Sequence, residues 1–511
     1  MKTKFGKLIA LFVGLIMAFS LVLCGCGEDP DIGKKPDDDP SIVDPDDKKD
    51  PDDKKDPDDK KDPPQKEEFT VTYREGYTPE RFSDVTFAIT ELAEGVHMVA
   101  NTMTLEKGSM KGKTCVVYTI EVDLKKADVQ AGTKGNASAG FDWSHTTPYQ
   151  TALDWEAATG GQVYAAINAD FFNQYDAHGK CVNAFVKDGI ILQDGHKDNG
   201  IYDYRNTDAD VPASAPMLFG VNGTTAQIAP ITTVAGDPTE PAVKQQFIKA
   251  KLSYGIQDGT LTYSVRENAT LSSLAENDIA YRTSTSSVRQ NRGYAVKVDT
   301  TKGITELKVL EVVQFSSANS GNIAAGDGYA WLQNYSSSGN TARYLSGLKA
   351  GDTISLSVIS ADGKWNGYST ILGCRQALVT GGAIASTVTL ENTNGAQGQD
   401  IPRTAVGIKD GKVVLFAVES MYYYAERLGY EINEETDFHG MNLPELAEFA
   451  YYYGCNDAAN FDGGGSTQLI TRAAGETKAK TVIRSADYCT WGLNDTRPIL
   501  NAFLITSREH D

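Results

Sequence analysis

The chain has 511 residues and a formal net charge of −20 at pH 7, from 48 basic and 68 acidic residues. That length supports one large core or two smaller ones. No basic patch interleaved with aromatics occurs, which argues against a nucleic-acid partner.

From the N-terminus, Lys2, Lys4 and Lys7 precede an apolar run from Leu8 to Leu23. The run is short for a membrane span and ends in small residues, as export signals do. Leu23-Cys24-Gly25-Cys26 resembles a bacterial lipobox with Cys26 as the lipidated residue. The expectation is a signal peptide over 1–25, a lipid anchor on Cys26 and a place on the outer side of the cell membrane. Asp-Pro-Asp-Asp-Lys-Lys then repeats from Asp44, Asp50 and Asp56, and residues 27–68 hold 9 lysines against 18 acids. Regular proline, high charge and no aromatics predict an acidic disordered tether over 26–68. Much of the acidity is therefore tether and says little about an active surface.

Residues 69–511 predict one large α+β domain with a mixed β-sheet core and a few packed helices, with 205–370 weakly patterned enough to be an inserted subdomain. Its cysteines, Cys115, Cys181, Cys374, Cys455 and Cys489, are odd in number and lack CxxC spacing, so at most two disulfides form. Strands are expected over 114–122, 162–169, 294–298, 307–313, 353–358, 404–408 and 413–418. Lys187-Asp188-Gly189, Gln257-Asp258-Gly259 and Lys409-Asp410-Gly411 mark turns. One helix opens at Thr147 with Pro148 and a capping box to Gln150, and runs to Gly160-Gly161. Another opens at Asn442 with Pro444 and Glu445 and stops at Gly454.

Each helix leads into an Asn-x-Asp strand: Asn168-Ala169-Asp170 and Asn460-Phe461-Asp462. Residues i and i+2 of a strand share a face, so each segment sets an amide beside a carboxylate. The two pairs read as halves of one polar site. Gly463-Gly464-Gly465-Ser466-Thr467 follows at once, and a glycine loop can turn its N–H groups onto an anion, against the plainer reading of a strand-to-strand turn. Arg403, opening Arg403-Thr404-Ala405-Val406-Gly407, can hold phosphate or carboxylate in a fork; a salt bridge to Glu419 is the structural alternative. The scattered histidines give no metal spacing. Asp170 and Asp462 could jointly bind calcium through oxygen ligands; otherwise no cofactor is expected. Among the tyrosine triplets at 422–424 and 451–453, Tyr453 is read as core.

These segments, with Leu378-Val379-Thr380-Gly381-Gly382 and Arg497-Pro498-Ile499-Leu500-Asn501-Ala502, resemble the phosphodiester glycosidase family in order from about 95 to 508. Departures are mild: Ala459 and Phe461 stand where leucines are common, Thr467 for a serine, Ser420 for a glycine, and Asp170 for a glycine, which makes Asp462 the first choice of catalyst. The resemblance implies hydrolysis of a sugar-1-phosphodiester, releasing the sugar and leaving a phosphomonoester on its partner. It implies Asp462 or Asp170 as the carboxylate that activates water or attacks the anomeric centre, with Glu419 as an outside acid or base. Arg403, Thr404, Gly463, Gly464, Gly465, Ser466 and Thr467 would hold phosphate, and Asn168 and Asn460 sugar hydroxyls, an N-acetyl group or phosphate oxygens. Partners would be a phosphate-linked glycan and, through lipid, the membrane. The rival readings are a non-catalytic glycan-binding surface protein on the same fold and a metal-dependent phosphodiesterase that cuts the P–O bond. Sequence does not choose between inversion and retention.

Overall fold

A computed structural model describes residues 69–134, 144–172, 181, 183–194, 217–230, 252–257, 262–360, 362–388, 398–420, 438–485 and 497–508. The expected signal peptide, Cys26, the tether, Tyr422 to Tyr424, Cys489, the turn at Asp258-Gly259 and parts of 205–370 lie outside the described residues.

Tight turns set the register. Asp410 and Gly411 sit at φ 50° and 76°, and Asp188 and Gly189 at 53° and 74°. Two consecutive positive φ values match the twist of the flanking strands, so each Asp-Gly closes a two-residue hairpin. The first joins Arg403–Lys409 to Lys412–Val418. That hairpin lies inside an eight-stranded sheet ordered Phe82–Ala93, Val96–Leu105, Thr114–Val122, Lys412–Val418, Arg403–Lys409, Asp457–Asn460, Ala377–Thr380 and Ala383–Ile384. Alternation divides its inner strands between two cores. Val413, Leu415 and Ala417 point to one, with Ile167, Phe503, Phe219 and Leu372 from two further sheets. Val414, Phe416 and Val418 point to the other, under the helix Leu443–Tyr452. Burial on both faces accounts for the unbroken apolar run.

That helix is capped as expected: Asn442 Oδ1 accepts from Glu445 N at 3.0 Å and Glu445 Oε2 accepts from Asn442 N at 3.0 Å. Leu446, Phe449, Ala450 and Tyr453 are its buried face, and Gly454 ends it at φ 101°. The helix Pro148–Thr159 carries only half of its expected capping box. Thr147 Oγ1 accepts from Gln150 N, but Gln150 Nε2 donates to Asp154 at 2.7 Å instead of reaching back. Its Ala152 and Trp155 cover a five-stranded sheet ordered Lys480–Ile483, Leu469–Thr471, Val163–Asn168, Asn501–Ser507 and Ala127–Thr133.

A third sheet of five strands (Ile190–Asp194, Ala184–Lys187, Thr370–Gly373, Met217–Asn222, Thr225–Pro230) shares one core with a closed seven-stranded barrel over 252–360. The α+β expectation holds in part. Strands dominate, three α-helices occur among the described residues, and the barrel was not anticipated. Among the described residues only the barrel mixes strand directions. Pairings between named strands are antiparallel except Ser264–Glu267 against Asp278–Tyr281 within the barrel. Hairpins deliver neighbouring strands in opposite senses, and the two long helices do not link parallel neighbours. Cys115, Cys181, Cys374 and Cys455 are buried thiols that form no disulfide with one another. Among the described residues no helix is long and apolar enough to cross a membrane.

Candidate active site at three converging strand ends

The two Asn-x-Asp segments meet. Val163–Asn168 and Asp457–Asn460 belong to different sheets, but just past their ends Asp462 N donates to Ala169 O at 3.0 Å. Asn168 Nδ2 donates to Asp462 O at 2.7 Å, across 294 residues of sequence. Asn168 Oδ1 accepts from Thr404 Oγ1 at 2.8 Å and from Gln468 N at 3.3 Å, and Thr404 Oγ1 also lies 3.3 Å from Thr467 Oγ1. Three strand ends are thus tied by one amide. Asn168, Thr404 and Thr467 are buried and use these side-chain bonds to hold the three strand ends together.

Asp462 stands at the partly open edge of this knot. Its Oδ1 accepts from Gly463 N at 2.9 Å. Ser466 also hydrogen-bonds to it, and Ser466 Oγ accepts from Arg497 Nη1 at 3.4 Å. Burial pushes its pKa up to about 6, against the pull of Ser466, Arg497, Gly463 N–H and Arg375. Asp170 is the buried member of the pair. Its N–H donates to Asn501 Oδ1 at 2.9 Å, and its carboxyl accepts from Asn183 N at 3.3 Å and Asn183 Nδ2 at 3.4 Å. Burial drives its pKa well above the usual carboxylate range, Asn183 and the Phe171 N–H oppose this, and the charge of Asp462 adds to it. Gly373 makes room for the arrangement: a Cβ there would lie 2.1 Å from Asn183 Cβ and 2.8 Å from Asp170 Oδ2.

Several expected ligands face elsewhere. The glycine loop turns its N–H groups inward: Gly463 N to Asp462, Gly464 N to Pro402 O, Ser466 N to Gly463 O and Thr467 N to Gly464 O. The segment forms a single 3₁₀ turn, Gly464–Ser466, and Gly464 and Gly465 are buried, so the expected N–H cradle for an anion is not what it builds. Arg403 passes within 3.7 Å of a Cβ built on Gly463, but its Nε donates to Met441 O at 3.0 Å and its Nη2 to Gln399 O at 2.8 Å. Its guanidinium thus braces the turn before the helix. Asn460 is buried, with Nδ2 donating to Gln376 Oε1 at 3.3 Å. Glu419 lies beside Cys115 and Tyr118, where its charge raises both of their pKa values after burial has done so.

In their place the structure brings Arg497, Arg375, Asn183, Asn501 and Gln468 to the site. Arg497 and Asn501 were visible in the closing Arg497–Ala502 segment. Asn183 and Arg375 lie on stretches with no motif of their own, and no sequence signal selected them. Phe171 and Phe172 are half-buried at the rim, with the Arg375 guanidinium carbon 5.7 Å from the Phe171 centroid and the His145 ring edge-on to Phe172 at 4.7 Å. Of the pair considered for calcium, Asp170 already accepts from Asn183 N and Nδ2. Among the described residues no group of three or more His, Cys, Asp or Glu is placed to hold a metal ion.

Fold and site together define a β-rich protein with a paired-carboxylate site flanked by arginines. Residues 309–506 match the profile of the phosphodiester glycosidase family, whose members are hydrolases of phosphodiester glycosides. The matched range includes Arg375, Asp462 and Arg497 but not Asn168 or Asp170, so half of the knot lies outside it. No curated protein matches the chain. Among solved structures it is similar to a hypothetical protein from Synechocystis (17% identity, TM-score 0.42, 83% of this chain and 64% of that one). It is similar to a protein described as exported from Burkholderia pseudomallei K96243 (11%, 0.43, 84% and 97%). It is also similar to the zebrafish N-acetylglucosamine-1-phosphodiester alpha-N-acetylglucosaminidase catalytic domain, auto-inhibited by its pro-peptide (13%, 0.37, 83% and 89%). The chain thus spans less than two thirds of the Synechocystis protein, and scores this low add nothing to the argument from the site.

Proposed function

We infer that this protein hydrolyses a sugar-1-phosphodiester, releasing the sugar and leaving a phosphomonoester on the other partner. The observation that carries this reading is Asp462: a half-buried carboxylate with a pKa of about 6, beside Ser466 and Arg497 and backed by the more deeply buried Asp170. Above pH 6 Asp462 is ionised and suited to activate water or to attack an anomeric carbon. Arg497 stands where a phosphate oxygen can be neutralised as the bond to the sugar breaks. Phosphate is a good leaving group, so no strong acid is needed on that side. Burial raises the pKa of Asp170 well above the usual carboxylate range, and it backs the site from the buried side.

The test is incubation with a GlcNAc-1-phospho-mannoside, following free GlcNAc. Asp462→Asn should abolish release. In ¹⁸O-water the label should enter the sugar; label in the phosphate would identify a phosphodiesterase, and binding without release, unaffected by Asp462→Asn, a glycan-binding protein. The same reading places the protein at the outer cell surface, held by lipid on Cys26, acting on surface or environmental glycans. Metabolic labelling with a palmitate analogue, lost in Cys26→Ser, tests that part, and unchanged labelling would refute it.

A further inference from the structure

Arg375 is not explained by the knot or by the expected motifs. It sits in the link between the strands Thr370–Gly373 and Ala377–Thr380, where the chain passes from the third sheet to the eight-stranded one. Its backbone is fixed there: Arg375 N donates to Asn460 O at 2.9 Å, and its neighbours Cys374 and Gln376 are buried. The side chain itself is half-buried and its guanidinium lies over the Phe171 ring, the residue after Asp170. It therefore crosses from one Asn-x-Asp segment to the other. The charge also reaches Asp462, where it opposes the effect of burial. A guanidinium held against an aromatic face loses little freedom when it binds, and its planar fork matches two phosphate oxygens.

We propose that Arg375, braced on Phe171, is the residue that positions the phosphate of the substrate over Asp462, the role that the sequence suggested for Arg403. This rests on the phosphodiester reading above and adds to it a ligand class, a phosphate anion gripped at the Phe171 rim, and a second cation opposite Arg497. Arg375 is thus a positioning residue as well as a phosphate ligand, because its charge also favours the ionised form of Asp462.

The experiment uses the full chain and two readouts. Inorganic phosphate binding at pH 7, by calorimetry, should weaken about tenfold to a hundredfold in Arg375→Ala, since a charge-assisted bond is lost. It should weaken less in Phe171→Leu and recover in part in Arg375→Lys. In turnover of the GlcNAc-1-phosphodiester, Arg375→Ala should raise KM more than it lowers kcat, and the acid limb of kcat/KM should move to higher pH. A purely structural role would move neither the limb nor the KM-to-kcat balance. Unchanged phosphate affinity in Arg375→Ala overturns the assignment, as does a wild type that binds no phosphate. If Arg375→Ala does not fold, Arg375→Lys with an unmoved affinity and limb overturns it equally. A wild type that binds phosphate through Arg375 but releases sugar from no phosphodiester leaves this assignment standing and refutes the functional reading; turnover that is indifferent to Arg375 does the reverse.

Discussion

Asp462→Asn should make the protein more stable and inactive at once. In the folded chain the carboxyl is raised from its ordinary 3.8 to about 6. Such a rise corresponds to about 3 kcal/mol at 25 °C. Asp462 keeps a partly open edge, and water there screens the charge, so we expect about 1–2 kcal/mol in practice. The sign follows from proton binding. Below pH 3.8 the carboxyl is protonated in both the folded and unfolded chains, and it contributes no deficit. As pH rises to about 6 the unfolded chain loses a proton that the folded one keeps, and wild-type stability falls. Above that the deficit is constant. Asparagine has no such titration and can still accept from Gly463 N. Urea unfolding of both proteins at intervals from pH 4 to 8 should therefore show Asp462→Asn gaining on wild type between pH 4 and 6 and holding its lead above 7, with equal m-values. Sugar release should fall ~10²–10⁴-fold. A stability difference that ignores pH, or a variant less stable than wild type at pH 8, would refute the claim that burial strains this carboxylate.

Asn168→Ala leaves Asp462 O and Gln468 N without their partner in a buried place, and should lower stability by roughly 2–6 kcal/mol, read as a drop in the urea midpoint; a shift under 1 kcal/mol would show that the amide does not tie the site. Gly373→Ala pushes a methyl onto Asn183 and Asp170, and overpacking of this kind costs about 1–3 kcal/mol; crystallography of the variant should find Asn183 displaced from Asp170, and an unmoved pair would contradict the close approach. Glu448, fully buried, accepts from Tyr77 Oη, Glu80 N and Arg81, so Glu448→Ala should cost about 3–5 kcal/mol and loosen residues 77–81 in hydrogen exchange. By contrast, removing the exposed Lys302–Glu306 pair should leave the urea midpoint unmoved.

Local signals were legible where the cause was local. Thr114–Val122 is a run of β-branched residues and forms the strand at those limits. Asp410-Gly411 demands a left-handed turn and makes one. Asn442, Pro444 and Glu445 carry the whole capping box. Thr147 and Gln150 carry only half, because Asp154, one turn further on, competes for the glutamine. Strands over 294–298, 307–313 and 353–358 were legible, but the closed barrel stayed hidden because runs such as Thr262–Glu267 alternate too briefly to stand out and no local signal pairs the strands into a ring. At the site, sequence identified the two Asn-x-Asp segments and Asp462 but not which side chains the fold would engage in its own bonds. Nothing in Arg403 announces that the carbonyls of Met441 and Gln399 will occupy it. Asn183 and Arg375 arrive from stretches whose only distinction is where the fold delivers them.

The barrel lies between two neighbouring strands of the third sheet. Thr370, on the strand that follows it, pairs with Val221, so the strand Thr225–Pro230 and the barrel together connect two adjacent antiparallel strands. To the remaining fold, the whole excursion therefore resembles an enlarged hairpin loop, and chain-closure entropy grows only slowly with its length. Relatives could swap, shrink or lose this module without rethreading a single strand of the knot. They could not do so for nothing: Val186, Leu218 and Ile371 rest on the barrel's interior, and a shortened version must recolour that face with polar side chains or find another lid for it.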